Sequence, residues 1–272
     1  MSKLKVRLLS AFFGIMIVLG IIFSPSVVFY IAMMLASFLM LYELHTTFQM
    51  KEKWQLVVLN YLFAAAMLCT PIFFPYDRMI FVMTIYLMLL LMFSVLFHQT
   101  VKFADVTKSL FMLVYAVLLP LHLSGIRMMG HGIYLIFVAF LGAWMPDTFA
   151  YFSGCLLGKH KLIPAISPNK TVEGSVGAIV GTLLIFAGYG LLMDFAFGFQ
   201  VHYIALILLG LICGVVSQFG DLSASVIKRE FGIKDFGNLM PGHGGLVDRV
   251  DSLLFIAPVV YYFLSVFEVI YK

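Results

Sequence analysis

The sequence predicts an all-α, polytopic integral membrane protein of about nine transmembrane helices with a cytoplasmic N-terminus. Composition is the first reason: of 272 residues 63% are hydrophobic and 11% charged, and mean hydropathy is +1.07, values foreign to a water-soluble globular domain. Second, apolar runs near the roughly 20 residues that a spanning helix needs recur at 8–24, 26–44, 54–75, 79–97, 106–124, 132–157, 174–197, 203–226 and 248–270. Third, the basic residues are asymmetric. Lys3, Lys5, Arg7, Lys51, Lys53, Lys102, Lys108, Lys159, Lys161, Lys170, Lys228, Arg229, Lys234 and Arg249 fall on the N-terminus and the even-numbered connections. Only Arg78, Arg127 and Lys272 fall on the other side, a ratio of 14 to 3 that places the N-terminus inside and the C-terminus outside.

The first run follows "MSKLKVRLLS" and is not followed by a small-x-small cleavage pattern, so it reads as an uncleaved span. Runs one to five carry almost no charge within the membrane and hold most of the methionines, 14 of 17 lying at or before Met129. Residues 1–131 thus read as a transmembrane scaffold of about five helices, lipid-facing or dimer-forming. From residue 132 to 272 the chain changes character, and about four helices with cytoplasmic loops form the part that carries chemistry. Of 22 glycines only Gly14 and Gly20 precede Gly125. The Gly174 and Ala178, Gly177 and Gly181, and Gly210 and Gly214 pairs have the four-residue spacing that lets helix backbones approach closely. Cys69, Cys155 and Cys213 fall in spans without metal-like spacing and read as small packing residues.

An aspartate at the centre of a span costs on the order of 2.5–3.5 kcal/mol even on a lenient scale. The sixth run nevertheless carries Asp147, in "AWMPDTFAYFSG", and the eighth carries Asp221, in "SQFGDLSASVIKR". On a helix Asp221 lines up with Ser225, Lys228 and Arg229, a polar stripe running from the span to its cytoplasmic end. Before the seventh run, "SPNKTVEG" reads as a Pro-fixed turn with Ser167 or Thr171 as helix cap. Its Lys170 is either a phosphate contact or a topology marker. Before the ninth, "PGHGGLVDRVD" puts Asp248 and Asp251 three residues apart on one helical face. The preceding Gly242, Gly244 and Gly245 can bring main-chain N–H groups close to an anion. His243 either donates to a phosphate or structures the loop. Carboxylates beside anion-binding backbone and Lys228, Arg229, Lys234 and Arg249 suit magnesium and polyphosphate; the net charge of +4 describes a basic membrane face and does not indicate nucleic acid.

The run "SVIKREFGIKDFGNLMPGHGGLVDRVD", Ser225 to Asp251, resembles the signature of bacterial phosphatidate cytidylyltransferases, or CDP-diacylglycerol synthases, with Met240 where a leucine, isoleucine or phenylalanine is more usual. "WMPDTFAYFSG" and "SPNKTVEG" are similar to two further stretches of that family. The resemblance implies transfer of the cytidylyl group of CTP to phosphatidic acid at the cytoplasmic face of the bacterial inner membrane, by a homodimer. It further implies magnesium held by Asp221 and Asp248 with a second cation such as potassium. Lys228, Arg229 and Asp251 complete the catalytic set so implied, and Asp147, Ser167, Lys170, Ser225, Lys234, Asp235, Gly242, His243, Gly244, Gly245 and Arg249 are candidates for binding substrate. Two rivals are a CTP-dependent polyprenol or lipid kinase, which would move the γ-phosphoryl group, and a cation-coupled transporter, whose paired repeats are not visible. A non-catalytic scaffold would leave the intramembrane acids unexplained.

Overall fold

The computed structural model describes residues 3–73, 78–239 and 244–272. Among these, helices follow one another as α1 (Lys3–Phe23), α2 (Ser26–Thr47), α3 (Trp54–Phe73), α4 (Arg78–Leu96), α5 (Phe103–Leu113), α6 (Leu119–Met128), α7 (Gly132–Leu157), α8 (Val172–Phe197), α9 (Tyr203–Glu230) and α10 (Val247–Val266). A π-helical turn, Val114–Leu118, joins α5 to α6 into one run. Its cause is Pro120, which lacks an N–H and whose ring would press on the carbonyl one turn back, so the helix widens instead. The helical runs coincide with the nine apolar runs of the sequence. Seven are long and apolar enough to cross a membrane, with shorter apolar stretches at Phe12–Phe23 and Trp54–Thr70. The chain is an all-α, multi-pass membrane protein.

Four short strands depart from the helical reading. β1 (Lys161–Ile163) and β2 (Ser167–Thr171) form an antiparallel hairpin, so "SPNKT" is a strand and not only a turn. Thr171 is the cap of α8, its Oγ1 accepting from Gly174 N at 3.1 Å. β3 (Gln200–Val201) pairs with β4 (Ile270–Tyr271), so the ninth run ends as a helix at Val266 and its last residues close a second antiparallel pair.

Contacts group the chain into two compact units, Met1–Leu121 with Ile233–Arg249, and His122–Gly232 with Val250–Lys272. In the first, Leu41, Leu44, Leu56, Leu90 and Met112 are fully buried. A buried polar chain threads the same helices. His45 Nδ1 lies 2.7 Å from the Leu41 carbonyl and so acts as donor, leaving Nε2 to accept from Asn60 Nδ2 at 3.1 Å. The Tyr86 hydroxyl lies 2.5 Å from Asn60 Oδ1 and 3.0 Å from the Ser109 carbonyl. Lys53 donates to the Thr100 carbonyl and Lys108 to that of Phe48, which brings the α2–α3 and α4–α5 connections to one end of this unit.

In the second unit the glycines do what their spacing predicts. Gly174, Gly177 and Gly181 of α8 press on Ala150, Ser153 and Phe149 of α7, and a Cβ on Gly214 of α9 would sit 3.0 Å from the Ile179 Cα. Backbones this close leave no room for larger residues. The spaces between α7, α8 and α9 are therefore fixed to within a few tenths of an ångström.

Candidate functional site

The second unit gathers Asp147, Lys170, Asp221, Lys228, Arg229 and Asp251. Asp147 follows Pro146, which sits inside α7 and removes the hydrogen bond to the Gly142 carbonyl. One turn before Asp147, the Ala143 carbonyl accepts from Ser217 Oγ of α9 at 3.1 Å, tying the two helices together. Asp221 of α9 forms an ion pair with Lys170 of β2, the two side chains being 26% and 23% exposed. A pair this sheltered is screened far less than a surface pair, so each charge depends on the other. Asp251 of α10 is 8% exposed and lies within electrostatic range of Asp221, Asp147 and Lys228. Three carboxylates and two lysines thus share one low-dielectric neighbourhood. Arg229 Nε donates to the Ile166 carbonyl at 3.4 Å, which fastens the end of α9 to the hairpin. Ser225, on the same stripe of α9, is half-buried, as is Ser167, which pairs with Ile163 in the hairpin and does not cap α8.

A cavity of about 490 Å³ opens within this unit. Its polar lining comes from Asp147, Asn169, Lys170, Thr171, Ser175 and Gln218, and its apolar wall from Ala150, Tyr151, Leu162 and Cys155. Ser175 Oγ donates to Gln218 Oε1 at 2.5 Å and braces α8 against α9 in its lining. The sequence reading placed Cys155 among small packing residues, yet its thiol side is exposed at the cavity, and it missed Asn169, Ser175 and Gln218 as lining residues. These side chains are uncharged, so nothing set them apart from ordinary interhelical hydrogen bonding.

The first unit holds Lys234, Asp235, Gly244, Gly245, Asp248 and Arg249; Met240, Gly242 and His243 lie outside the described residues. Lys234, Asp235 and Arg249 are exposed. Asp248 is 7% exposed, and its Oδ2 accepts from Phe236 N at 2.8 Å and from Gly245 N at 3.0 Å. Gly244 has φ +84, a backbone open to glycine, and a Cβ there would meet Asp248 Oδ2 at 2.9 Å. The next two amides, of Leu246 and Val247, donate at 2.8 and 2.9 Å to the two carboxylate oxygens of Glu43. The anions held by the amides of residues 245–247 are therefore the protein's own carboxylates. Glu43, near the end of α2 and 6% exposed, is a residue the sequence reading passed over when it described the first five spans as nearly without charge. Its signal was an acid within an apolar run, weaker than that of Asp147 and Asp221 because Glu43 stands near the end of its span.

Among the described residues no three carboxylate, imidazole or thiolate side chains are disposed to hold a metal ion together. Magnesium commonly takes one or two carboxylates, keeps several waters and completes its shell with substrate phosphates. Hard carboxylate donors beside lysines fit an ion that arrives with a polyphosphate better than a permanently caged one. Asp221 would ligate in competition with Lys170.

Residues 5–267 match the cytidylyltransferase family. The phosphatidate cytidylyltransferase of Staphylococcus haemolyticus is 39% identical over 170 residues, 62% of this chain and 63% of that protein. That of Bacillus subtilis is 40% identical over 182 residues, 66% of each. That of Staphylococcus epidermidis is 32% identical over 266 residues, 94% of this chain and 96% of the relative. The first two of these matches thus span a little under two thirds of the relatives' length, and the third spans nearly all of it.

Proposed function

This chain belongs to the cytidylyltransferase family, and from that premise we propose that it transfers the cytidylyl group of CTP to phosphatidic acid, releasing pyrophosphate and giving CDP-diacylglycerol for phospholipid synthesis. The observation that carries the reading is the cavity of about 490 Å³ beside the Lys170–Asp221 pair. Its lining combines charged and polar side chains, Asp147, Asn169 and Lys170 among them, with the apolar Ala150, Tyr151 and Leu162, within a membrane-spanning bundle. That is the chemistry of a lipid whose phosphate must be recognised while its acyl chains stay in an apolar medium.

An oxygen of the phosphatidic acid phosphate attacks the α-phosphorus of CTP. The new P–O bond forms as the bond from the α-phosphorus to the bridging oxygen breaks, and that electron pair leaves on pyrophosphate. The nucleophile is already ionised near neutral pH, so the protein's work is positioning and charge stabilisation. Lys170, Lys228 and Arg229 offset the accumulating negative charge, with Lys170 exchanging the Asp221 carboxylate for phosphate as substrate enters. Asp147 and Asp251 hold these cations in the membrane region when no phosphate is present. We assign magnesium to Asp221 and Asp248, with a second cation such as potassium; when bound it would supply Lewis-acid neutralisation of the departing pyrophosphate. The remaining assignments are a cytoplasm-facing site in a bacterial inner membrane, following the lysine and arginine asymmetry, and a homodimer.

Membranes containing the protein are mixed with CTP labelled at the α- or γ-phosphate, with and without phosphatidic acid. The expected result is α-label in the lipid phase only when phosphatidic acid is present. Transfer of γ-label would make the protein a lipid kinase, and transfer of neither label would remove it from the enzymes of CTP-dependent lipid chemistry.

A further inference from the structure

We propose that Glu43 is a positioning residue of the transfer reaction, a carboxylate on α2 that clamps the start of α10 and so fixes the placement of Asp248. The inference rests on the reaction assigned above and concerns a part of the chain that the sequence presents as scaffold.

A helix start needs acceptors for its first amides. Here the residue before α10 is Leu246, which has no side-chain acceptor, and the amides of Leu246 and Val247 lie ahead of those that a local N-cap side chain serves, so their acceptor must come from elsewhere. Both donate to Glu43, one to each oxygen, across 203 and 204 residues of chain. A single carboxylate gripping two successive amides fixes both the position and the rotation of the first turn. The neighbouring residue in that turn is Asp248, whose Oδ2 folds back onto Gly245 N and across to Phe236 N. Two acids thus organise four amides.

Two further observations separate this from an incidental cap. A Cβ on either Gly237 or Gly245 would lie 2.6 Å from a Glu43 carboxylate oxygen, so both residues press closely on the carboxylate. Glu43 is also held from behind. Two residues on, His45 anchors the end of α2 through Asn60 to Tyr86 of α4 and, through Tyr86, to the Ser109 carbonyl of α5. A buried polar chain of this kind, with the one Tyr86 proton shared between two acceptors, favours one arrangement of the helices that bear it. The α2 end is therefore fixed, and the start of α10 is fixed to it.

The test uses full-length protein in detergent and compares the parent with Glu43→Gln and with the surface control Glu52→Gln. Gln keeps the shape but offers one acceptor oxygen in place of two and no charge. Loss of one charge-assisted bond predicts about tenfold faster amide hydrogen exchange in the segment 245–248. Misplacement of Asp248 predicts a kcat lower by about ten- to a hundredfold, with KM for phosphatidic acid little changed. A cap that only stabilises the fold would lower the melting temperature and leave kcat per folded molecule intact, and that result overturns the proposal. So does unaltered exchange at 245–248. If Glu43→Gln fails to fold, Glu43→Asp carries the test, since it keeps the charge and shortens the reach; parental exchange together with parental kcat in that variant overturns the proposal. Should the parent itself transfer no α-label, the reaction assignment has failed, while the exchange measurement still reports on the clamp alone.

Discussion

Gly220→Ala should slow the reaction by one to two orders of magnitude while leaving the protein inserted and folded. Gly220 sits on α9 immediately before Asp221, and its Cα faces α10. A methyl group built there would lie 2.9 Å from the Ser252 Cα, 3.0 Å from the Asp251 carbonyl oxygen and 3.3 Å from the Phe255 Cβ. The two nearest atoms are backbone, so no side chain can swing aside. Carbon atoms rest at about 3.5–4.0 Å, and α9 and α10 must therefore separate by roughly 0.6 Å or more at this point. Such overpacking costs about 1–3 kcal/mol of stability. Its larger effect is on geometry, because the displaced residues are Asp221 and Asp251 themselves, and misplacement approaching 1 Å can cost about 10²-fold in rate. Pyrophosphate release at saturating CTP and phosphatidic acid measures the rate, and a thermal melt in the same detergent measures the fold. Gly188→Ala is the control: nothing lies within 4 Å of a Cβ there, so the substitution should be neutral or slightly stabilising. If Gly220→Ala kept more than half the parental rate, the spacing of α9 and α10 would not set the chemistry.

Lys170→Met should reduce kcat by about 10²–10³-fold, the loss typical for one charge-stabilising donor, and a rate within threefold of the parent would make Lys170 a topology marker only. Asp221→Asn and Asp248→Asn should each nearly abolish pyrophosphate release, relieved at best partly by raising magnesium, while Met240→Leu behaves as the parent; near-parental rates of both Asn variants at low magnesium would refute the metal assignment. Single cysteines near Lys161 and Lys234, in a cysteine-free background, should be labelled from the cytoplasmic side and one near Arg127 from the outside, and the opposite pattern would overturn the orientation.

The spans were legible because the bilayer is a demanding solvent: each crossing needs an apolar run of nearly fixed length. Helix contacts in the second half were legible for a related reason, since close approach requires small residues at fixed spacing, and Gly177, Gly181 and Gly214 meet their neighbours as that spacing predicts. The hairpin of β1 and β2 was not. Its second strand is five residues containing a proline, and its partner is three residues long, too little pattern for alternation to appear. The π-helical turn before Pro120 was also hidden, because a proline in an apolar run announces a distortion without specifying its kind.

The site divides along the same physical line. Asp147 and Asp221 declared themselves, since a charge in an apolar run costs free energy and requires a reason, and Asp251 through its three-residue spacing from Asp248 at a helix start. Their arrangement did not, because Lys170 reaches Asp221 through a hairpin that the sequence reads only as a turn. Glu43 was harder for a different cause. It stands four residues before the end of α2, where an acid also reads as the edge of the membrane, and its partners are more than 200 residues away. Local pattern cannot display a partner at that distance. What the sequence did contain was the unmet need, an α10 whose preceding residue, Leu246, cannot cap it. A missing local cap in front of a motif rich in functional residues is therefore evidence for a distant carboxylate, and an unexplained acid in a scaffold helix is the place to look for it.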